Sequence, residues 1–244
     1  MNLPKISVVT VCYNSAKTLE RTIASVLSQD YPNLEYLIID GGSTDGTVDI
    51  IRRYESQLAY WCSEVDKGIY DAMNKGIRLA KGEWIHLLNA DDWYIERDVW
   101  SRVIPHFYSL KVNYMSMVHR WESGRERLYR FKFRRWPLYY SAYLPHPALV
   151  VHRSQYDAVG LYNTDYRMAA DHDMIMRLVH RYPGNFIDIP FVVMQQGGLS
   201  EAHRGRALKE MQAITEKNGL PAFLAKFFYH IKLRRLRLIE YENG

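Results

Sequence analysis

The feature that most constrains this chain is a hydrophobic period that switches back and forth through residues 5–88. Lys5–Cys12 is β-branched and strand-like, and Ala16–Gln29 carries Leu19, Ile23, Val26 and Leu27 on one helical face. Glu35–Asp40 reads as a strand, Thr47–Tyr54 as a helix and Ala59–Ser63 as a short strand. Ile69–Ala80 places Ile69, Met73 and Ile77 in line on a helix, and Trp84–Leu88 is a fourth strand. A β-α-β-α rhythm of this kind predicts a mostly parallel α/β sheet with right-handed crossovers and helices on both faces. With 244 residues there is enough chain for one large α/β domain and a small appendage.

Polar residues collect where these strands end. The apolar run from Trp84 stops at Asn89-Ala90-Asp91-Asp92, with two adjacent carboxylates at the carboxyl end of a buried strand, the place where α/β proteins bind ligands. Ionised carboxylates there are costly without a cation, and a divalent ion on a diphosphate supplies one. Two turns, Asp40-Gly41-Gly42-Ser43-Thr44-Asp45-Gly46 and Asp66-Lys67-Gly68, each follow a strand and precede a helix, and their glycines let backbone approach a ligand. Taken singly they are ordinary βα turns, and neither has the spacing of a dinucleotide fingerprint or a P-loop.

Beyond Asp92 the rhythm breaks. Val99–Leu110 reads as helical, and Trp121–Tyr143 as an aromatic, basic mixture of strand and loop covering the site. Ala148–His152 is a strand candidate, Asp171–Arg181 a helix, Asn185–Met194 extended and Gln196–Ser200 a turn, with helices at Arg206–Asn218 and Leu220–Ile239. The net charge of +5 is concentrated in Arg125, Arg127, Arg130, Lys132, Arg134 and Arg135, and in Lys226, Lys232, Arg234, Arg235 and Arg237. Such clusters suit phosphate-bearing partners or a solvated surface. No nucleic-acid module or regular basic face accompanies them, so a nucleic-acid partner is not expected. Cys12 and Cys62 lack metal-ligand spacing and give no disulfide framework, which fits a reducing compartment. With no signal-peptide pattern and no apolar run of spanning length, a cytoplasmic location is expected.

Val8-Val9-Thr10-Val11-Cys12-Tyr13-Asn14, the turn at Asp40, Asp66–Gly76, Asn89–Asp92 and Ala169-Ala170-Asp171-His172-Asp173 together resemble, in order and spacing, family 2 glycosyltransferases. The likeness covers roughly residues 5–200. It implies a GT-A (Rossmann-like) fold and inverting transfer of a sugar from a nucleoside diphosphate donor, with UDP expected and Mn2+ or Mg2+ on the diphosphate. The acceptor implied is a saccharide, lipid-linked in many members, within bacterial surface polysaccharide or O-antigen assembly. By position the resemblance assigns Thr10, Tyr13, Asn14, Asp40, Asp66, Lys67, Asn74, Asn89 and Ala90 to the donor nucleotide, with Asp40 reading the base. It gives Asp91 to the metal and Asp171 to the acceptor base. Three departures stand out: Asn89 replaces the first aspartate of the Asp-x-Asp motif, Met73 an arginine and Ala170 a glutamate. They keep open a second reading, a catalytically impaired nucleotide-sugar-binding scaffold.

Residues 1–205 then form the transferase domain, with a nucleotide-sugar half at 1–92 and an acceptor half at 93–205, and 206–244 a helical extension. Magnesium or manganese commonly takes one or two protein carboxylates, with phosphate and water completing the shell. Asp91 fits as principal ligand, with Asn89, Asp92 and His203 as weaker candidates, and Asp92 could instead cap a helix or orient water. Asp171 could take the acceptor proton or serve as a helix N-cap. His146 and Asp173 are weaker acceptor or diphosphate candidates, with structural histidine and first-turn carboxylate as the alternatives. Leu220, Phe223, Leu224, Phe227, Phe228 and Ile231 recur at helical spacing before a basic run, which suits an anionic membrane surface, the core, or a second subunit in a homodimer.

Overall fold

The computed structural model describes residues 3–131, 139, 144–197 and 203–242, with side chains of the last helix described as far as Arg234. Its first half follows from two-sided burial. In β1 (Ile6–Cys12), Ile6, Val8 and Cys12 face one layer, and Val9 and Val11 the other. In β2 (Leu34–Asp40) Tyr36 and Ile38 divide from Leu37 and Ile39 in the same way, as do Trp84 and Leu88 from Ile85 and Leu87 in β4 (Trp84–Asn89). A strand buried on both faces needs helices on both, which α1 (Leu19–Leu27), α2 (Thr47–Tyr54) and α3 (Ile69–Leu79) provide. α3 lies close enough that a Cβ on Gly76 would overlap Val9 Cγ1.

Among the described residues one nine-stranded sheet runs β3-β2-β1-β4-β8-β6-β9-β5, with β7 also paired to β6. β3 (Tyr60–Ser63), β2, β1 and β4 are parallel. β8 (Leu149–His152) turns antiparallel to both β4 and β6 (Val112–Arg120), and β6 runs parallel to β9 (Gly184–Gln195). β5 (Trp93–Tyr94) pairs antiparallel with β9, and β7 (Glu126–Tyr129) with β6. The sheet is therefore mixed beyond β4, and its central strand β6 carries no clean period in the sequence. Its buried Asn113 and Ser116 interrupt the apolar pattern, and both are satisfied locally: Asn113 bonds Tyr108 and Asn185, and the Ser116 hydroxyl donates to Asp188.

The expected helix over Val99–Leu110 is shorter. α4 (Val99–Val103) gives way to a 3-10 turn at Ile104–His106, because Pro105 has no N–H to continue the ladder. α5 (Arg153–Val159), not anticipated, is closed by a capping box of His152 and Gln155. α6 (Ala170–Arg181) packs on the α3 side of the sheet, and α7 (Arg204–Lys217) packs on α6. Gly219 at φ +97 turns the chain into α8 (Ala222–Glu242), which lies on α7. Most of the expected loop at Trp121–Tyr143 beyond β7, and the end of the turn at Gln196–Ser200, lie outside the described residues, as do Lys132, Arg134 and Arg135. Arg130 ion-pairs with Asp188, and Arg125 and Arg127 lie over Trp121 and Tyr129.

Candidate active site

Strand register brings several of the expected site residues to one edge. Cys12 stands beside Asp40, Asp40 beside Ser63, and Val11 beside Asn89, so the loops after β1, β2, β3 and β4 emerge together. The chain turns opposite ways on either side of β1, so a crevice opens between the carboxyl ends of β1 and β4.

Two of these loops are laced together. Asn14, a non-glycine residue at φ 50, donates its backbone N–H to Ser43 Oγ and accepts Thr44 N–H on its side-chain oxygen. Ser15 N–H donates to Thr47 Oγ1, and Ala16 N–H to Asp45. Asp40 organises this turn from inside: its carboxylate accepts the Gly42 and Ser43 N–H groups and the Ser43 and Ser63 hydroxyls. Burial pushes the Asp40 pKa up, but the hydrogen bonds from Ser43 and Ser63 outweigh it and hold the carboxyl below its ordinary value. Fully buried, Asp40 builds the loop from inside. A second carboxylate, Asp66, approaches the turn from the loop after β3. Its Oδ2 lies 2.7 Å from where a Gly41 Cβ would be, with the exposed Tyr13 ring on the same glycine. Its other oxygen accepts Gly68 N–H at 2.7 Å. Lys67 is exposed in the same turn, and its N–H is tied to Asp71.

At the end of β4 the adjacent carboxylates take different places. Asp92 is 1% exposed and accepts Gln195 N–H at 3.2 Å and Asn89 Nδ2–H at 3.3 Å. Its backbone carbonyl accepts the Thr22 hydroxyl. It thus ties β4 to β9 and α1, rather than capping a helix. Burial raises the pKa of Asp92 well above the ordinary carboxylate value, with the neighbouring charge of Asp91 adding to it, and burial raises that of Asp91 too. Asp91 is only half-buried, beside the charge of Arg21, whose guanidinium stacks 3.5 Å over Trp93. With its Nδ2 turned to Asp92, Asn89 leaves Oδ1 buried without a hydrogen-bond partner. A half-buried carboxylate and, two residues before it, an orphaned amide oxygen are hard oxygen donors of the kind that a cation shared with a diphosphate takes. Among the described residues no cluster of three or more His, Cys, Asp or Glu makes a self-sufficient metal cage. Ala90 is buried between them, and His203 is exposed at the start of α7.

Asp171 lies in the first turn of α6 and accepts the Tyr70 hydroxyl at 3.2 Å across 101 residues of chain. Tyr70 is buried at the start of α3, just after the Asp66-Lys67-Gly68 turn, and stacks on Tyr162 with 5.7 Å between centroids. Burial, with the Asp171 charge next in weight, pushes the Tyr70 hydroxyl well above its ordinary pKa and keeps it a donor. The segment before Asp171 is held in trans: Glu210 of α7, 13% exposed, accepts the N–H groups of Arg167, Met168 and Ala169 at 3.0, 2.7 and 3.0 Å. The Arg167 guanidinium in turn donates to the Lys67 carbonyl. Tyr70 falls within the Asp66–Gly76 motif, whereas Arg167 and Glu210 carry no sequence signal, because their partners are 100 and 41–43 residues away.

Four of the expected site residues make structural contacts. Thr10 is buried in β1, its hydroxyl accepting from Tyr36 at 3.0 Å. Asn74 clamps both backbone groups of Tyr162. Asp173 is a buried partner of Arg177 at 2.8 Å, and Arg177 also binds the carbonyls of Val159 and Leu161. His146 is buried and bonds Tyr162 Oη at 2.9 Å, one residue behind Tyr70 in the aromatic stack.

A half-parallel, half-mixed sheet with this strand-end crevice is the GT-A type of fold. S. aureus TarS 1-349, solved in complex with UDP, matches over 95% of this chain and 71% of its own at TM-score 0.68 and 18% identity. Mannosyltransferase PcManGT from Pyrobaculum calidifontis, solved with GDP-Man and Mn2+, matches over 94% and 70% at TM-score 0.67 and 21% identity. The chain spans 42% of the longer TarS structure. The chain belongs to glycosyl transferase family 2, whose profile matches residues 7–158. It is 33% identical over 183 residues, 71% of this chain and 68% of the relative, to an uncharacterized glycosyltransferase of Mycobacterium tuberculosis (strain CDC 1551 / Oshkosh). It is 32% identical over 199 residues, 75% of each chain, to a PGL/p-HBAD biosynthesis glycosyltransferase of Mycobacterium bovis (strain BCG / Pasteur 1173P2).

Proposed function

We propose that this glycosyltransferase moves a sugar from a UDP-linked donor to a hydroxyl of a saccharide acceptor, with inversion at the anomeric carbon. The observation that carries the reading is the Tyr70–Asp171 hydrogen bond, which brings the carboxylate of α6 against the helix that leaves the donor-side turn. The UDP and UDP-GlcNAc complexes of the fold neighbour TarS support the nucleotide, and the Mn2+ complex of PcManGT supports a divalent metal. In this reading Asp66, beside Gly41 with Tyr13 as a flanking ring, would accept the imide N–H of a uracil, while Asp40 sets the neighbouring turn.

Asp91 and Asn89 Oδ1 would hold Mn2+ or Mg2+ on the diphosphate. A bound ion supplies charge neutralisation to the departing phosphate. The chain's own share of the reaction is to hold the acceptor hydroxyl and take its proton. Asp171, kept in place by the Tyr70 hydroxyl, accepts that proton as the oxygen bonds to the anomeric carbon. The bond from that carbon to the β-phosphate oxygen breaks, and the nucleoside diphosphate leaves with the electron pair. A single carboxylate base acting in one displacement inverts the centre, and such a base contributes roughly 10²- to 10⁴-fold. A lipid-linked saccharide in surface-polysaccharide or glycolipid assembly is the acceptor class we favour.

The test is a calorimetric screen of UDP- and GDP-sugars with Mn2+ or Mg2+, followed by product analysis. Asp91→Ala should lose metal-dependent donor binding, Asp66→Asn should lose uridine preference, and Asp171→Asn should bind donor and fail to transfer. Full turnover in folded Asp91→Ala and Asp171→Asn proteins would refute the roles. Donor binding without turnover by the unaltered chain, across all acceptors offered, would favour the scaffold reading.

A further inference from the structure

Packing on α7 uses only part of α8. Leu220 and Ala225 are buried where the two helices meet, while Phe223 is 71% and Phe227 56% exposed. Lys226, His230 and Arg234 are exposed as well. Positions 223, 226, 227, 230 and 234 fall three or four residues apart, so they line one outward stripe, aromatic at its start and cationic along its length. Two phenylalanine rings one helical turn apart in water mark an interaction surface more than a solvated face.

Charge selects the occupant. From 217 to 239 the sequence has six Lys or Arg and no Asp or Glu. A second copy meeting this stripe about a two-fold axis would set the cations of one stripe against those of the other, which is repulsive. An anionic bilayer meets both features at once, taking the rings to the headgroup boundary while the cations reach phosphates. We propose that the outward stripe of α8 docks this enzyme on an anionic membrane surface. α8 lies on α7, and α7 supplies the Glu210 that holds the segment before Asp171. Docking there keeps the acceptor-side carboxylate near the bilayer, a consequence that rests on the proposed lipid-linked acceptor, whereas docking itself does not.

The experiment is sedimentation of the full chain with vesicles of phosphatidylcholine alone or with a quarter phosphatidylglycerol. Binding is expected to the anionic vesicles only, and to weaken with salt. Phe223→Ser with Phe227→Ser should lower partitioning at least about tenfold, since each ring loses its apolar transfer. Lys226→Glu with Arg234→Glu should lower it by about tenfold or more. All four side chains are exposed, and unchanged melting temperatures establish that the variants fold. No binding to anionic vesicles, equal binding to neutral ones, or undiminished binding by the double-serine protein each overturns the proposal. So does conversion of a dimer to a monomer by the serine pair without loss of vesicle binding. No donor or acceptor enters the measurement, so its failure leaves the transferase reading standing, and failure of the sugar screen leaves the docking result standing.

Discussion

Replacing Glu210 by alanine tests whether α7 is part of the catalytic apparatus. The carboxylate accepts three successive backbone N–H groups, from Arg167, Met168 and Ala169, two residues before Asp171. Hydrogen bonds to charged groups contribute about 1.5–3 kcal/mol each, but water can replace the one at exposed Arg167. Ala169 is buried, so its N–H is left without a partner at a cost of about 1–3 kcal/mol, and Met168 falls between. The sum is a destabilisation of roughly 2–4 kcal/mol, which for a chain of this size lowers the melting temperature by about 4–16 °C. The same release frees the first turn of α6, and misplacing a reacting group by about 1 Å costs on the order of 10²-fold in rate. Glu210→Gln keeps one accepting oxygen and should show about half the thermal effect. The assays are thermal unfolding and transfer kinetics at saturating donor, well below the melting temperature, with donor affinity measured by calorimetry. A folded Glu210→Ala protein that melts within about 1 °C of the parent and transfers at the parent rate would refute the reasoning.

Other outcomes follow from single contacts. Tyr70→Phe removes the hydroxyl on Asp171 and should cost about 1 kcal/mol, or roughly fivefold in kcat, leaving donor affinity unchanged; a fall in donor affinity instead would place Tyr70 elsewhere in the cycle. Gly76→Ala forces a methyl into Val9 and should cost about 1–3 kcal/mol, read as a lower melting temperature with donor binding intact below it. Burial holds His86 neutral, with a pKa lowered to about 3, and His172 with one lowered to about 4. Because both folded values lie below the unfolded one near 6.5, their stability contribution is complete above about pH 6.5 and is lost as pH falls toward these values, at about 1.4 kcal/mol per pH unit for each. Denaturant unfolding between about pH 6 and pH 4.5 should show this slope, and His172→Leu, which replaces a ring with two unpartnered nitrogens, should remove about half of the slope.

The fold up to Asp92 was legible because strands buried on both faces leave near-continuous apolar runs, and the helices between them keep a clean 3.6-residue period. After Asp92 the polar core residues Asn113 and Ser116 hid β6, and Pro105 cut a helix that the apolar spacing continued. Motif spacing brought Asp66, Asn89, Asp91 and Asp171 to strand ends and a helix start. It could not tell which carboxylates bind neighbouring backbone. Asp40 and Asp92 occupy equally prominent positions in the sequence, and both are consumed by neighbouring N–H groups. Thr10 and Asn74 belong to the same motifs, and their side chains bond Tyr36 and Tyr162, partners no local pattern reveals.

The Arg167 guanidinium on the Lys67 carbonyl closes a circuit, with Tyr70 on Asp171 as its second joint. Two substrates that each order one side of such a circuit are thermodynamically coupled, and the coupling is reciprocal. Whatever factor the donor adds to acceptor affinity, the acceptor must return to donor affinity. Binding isotherms taken in the two orders should close on one coupling constant, and Arg167→Ala should bring that constant toward unity without abolishing either binding event.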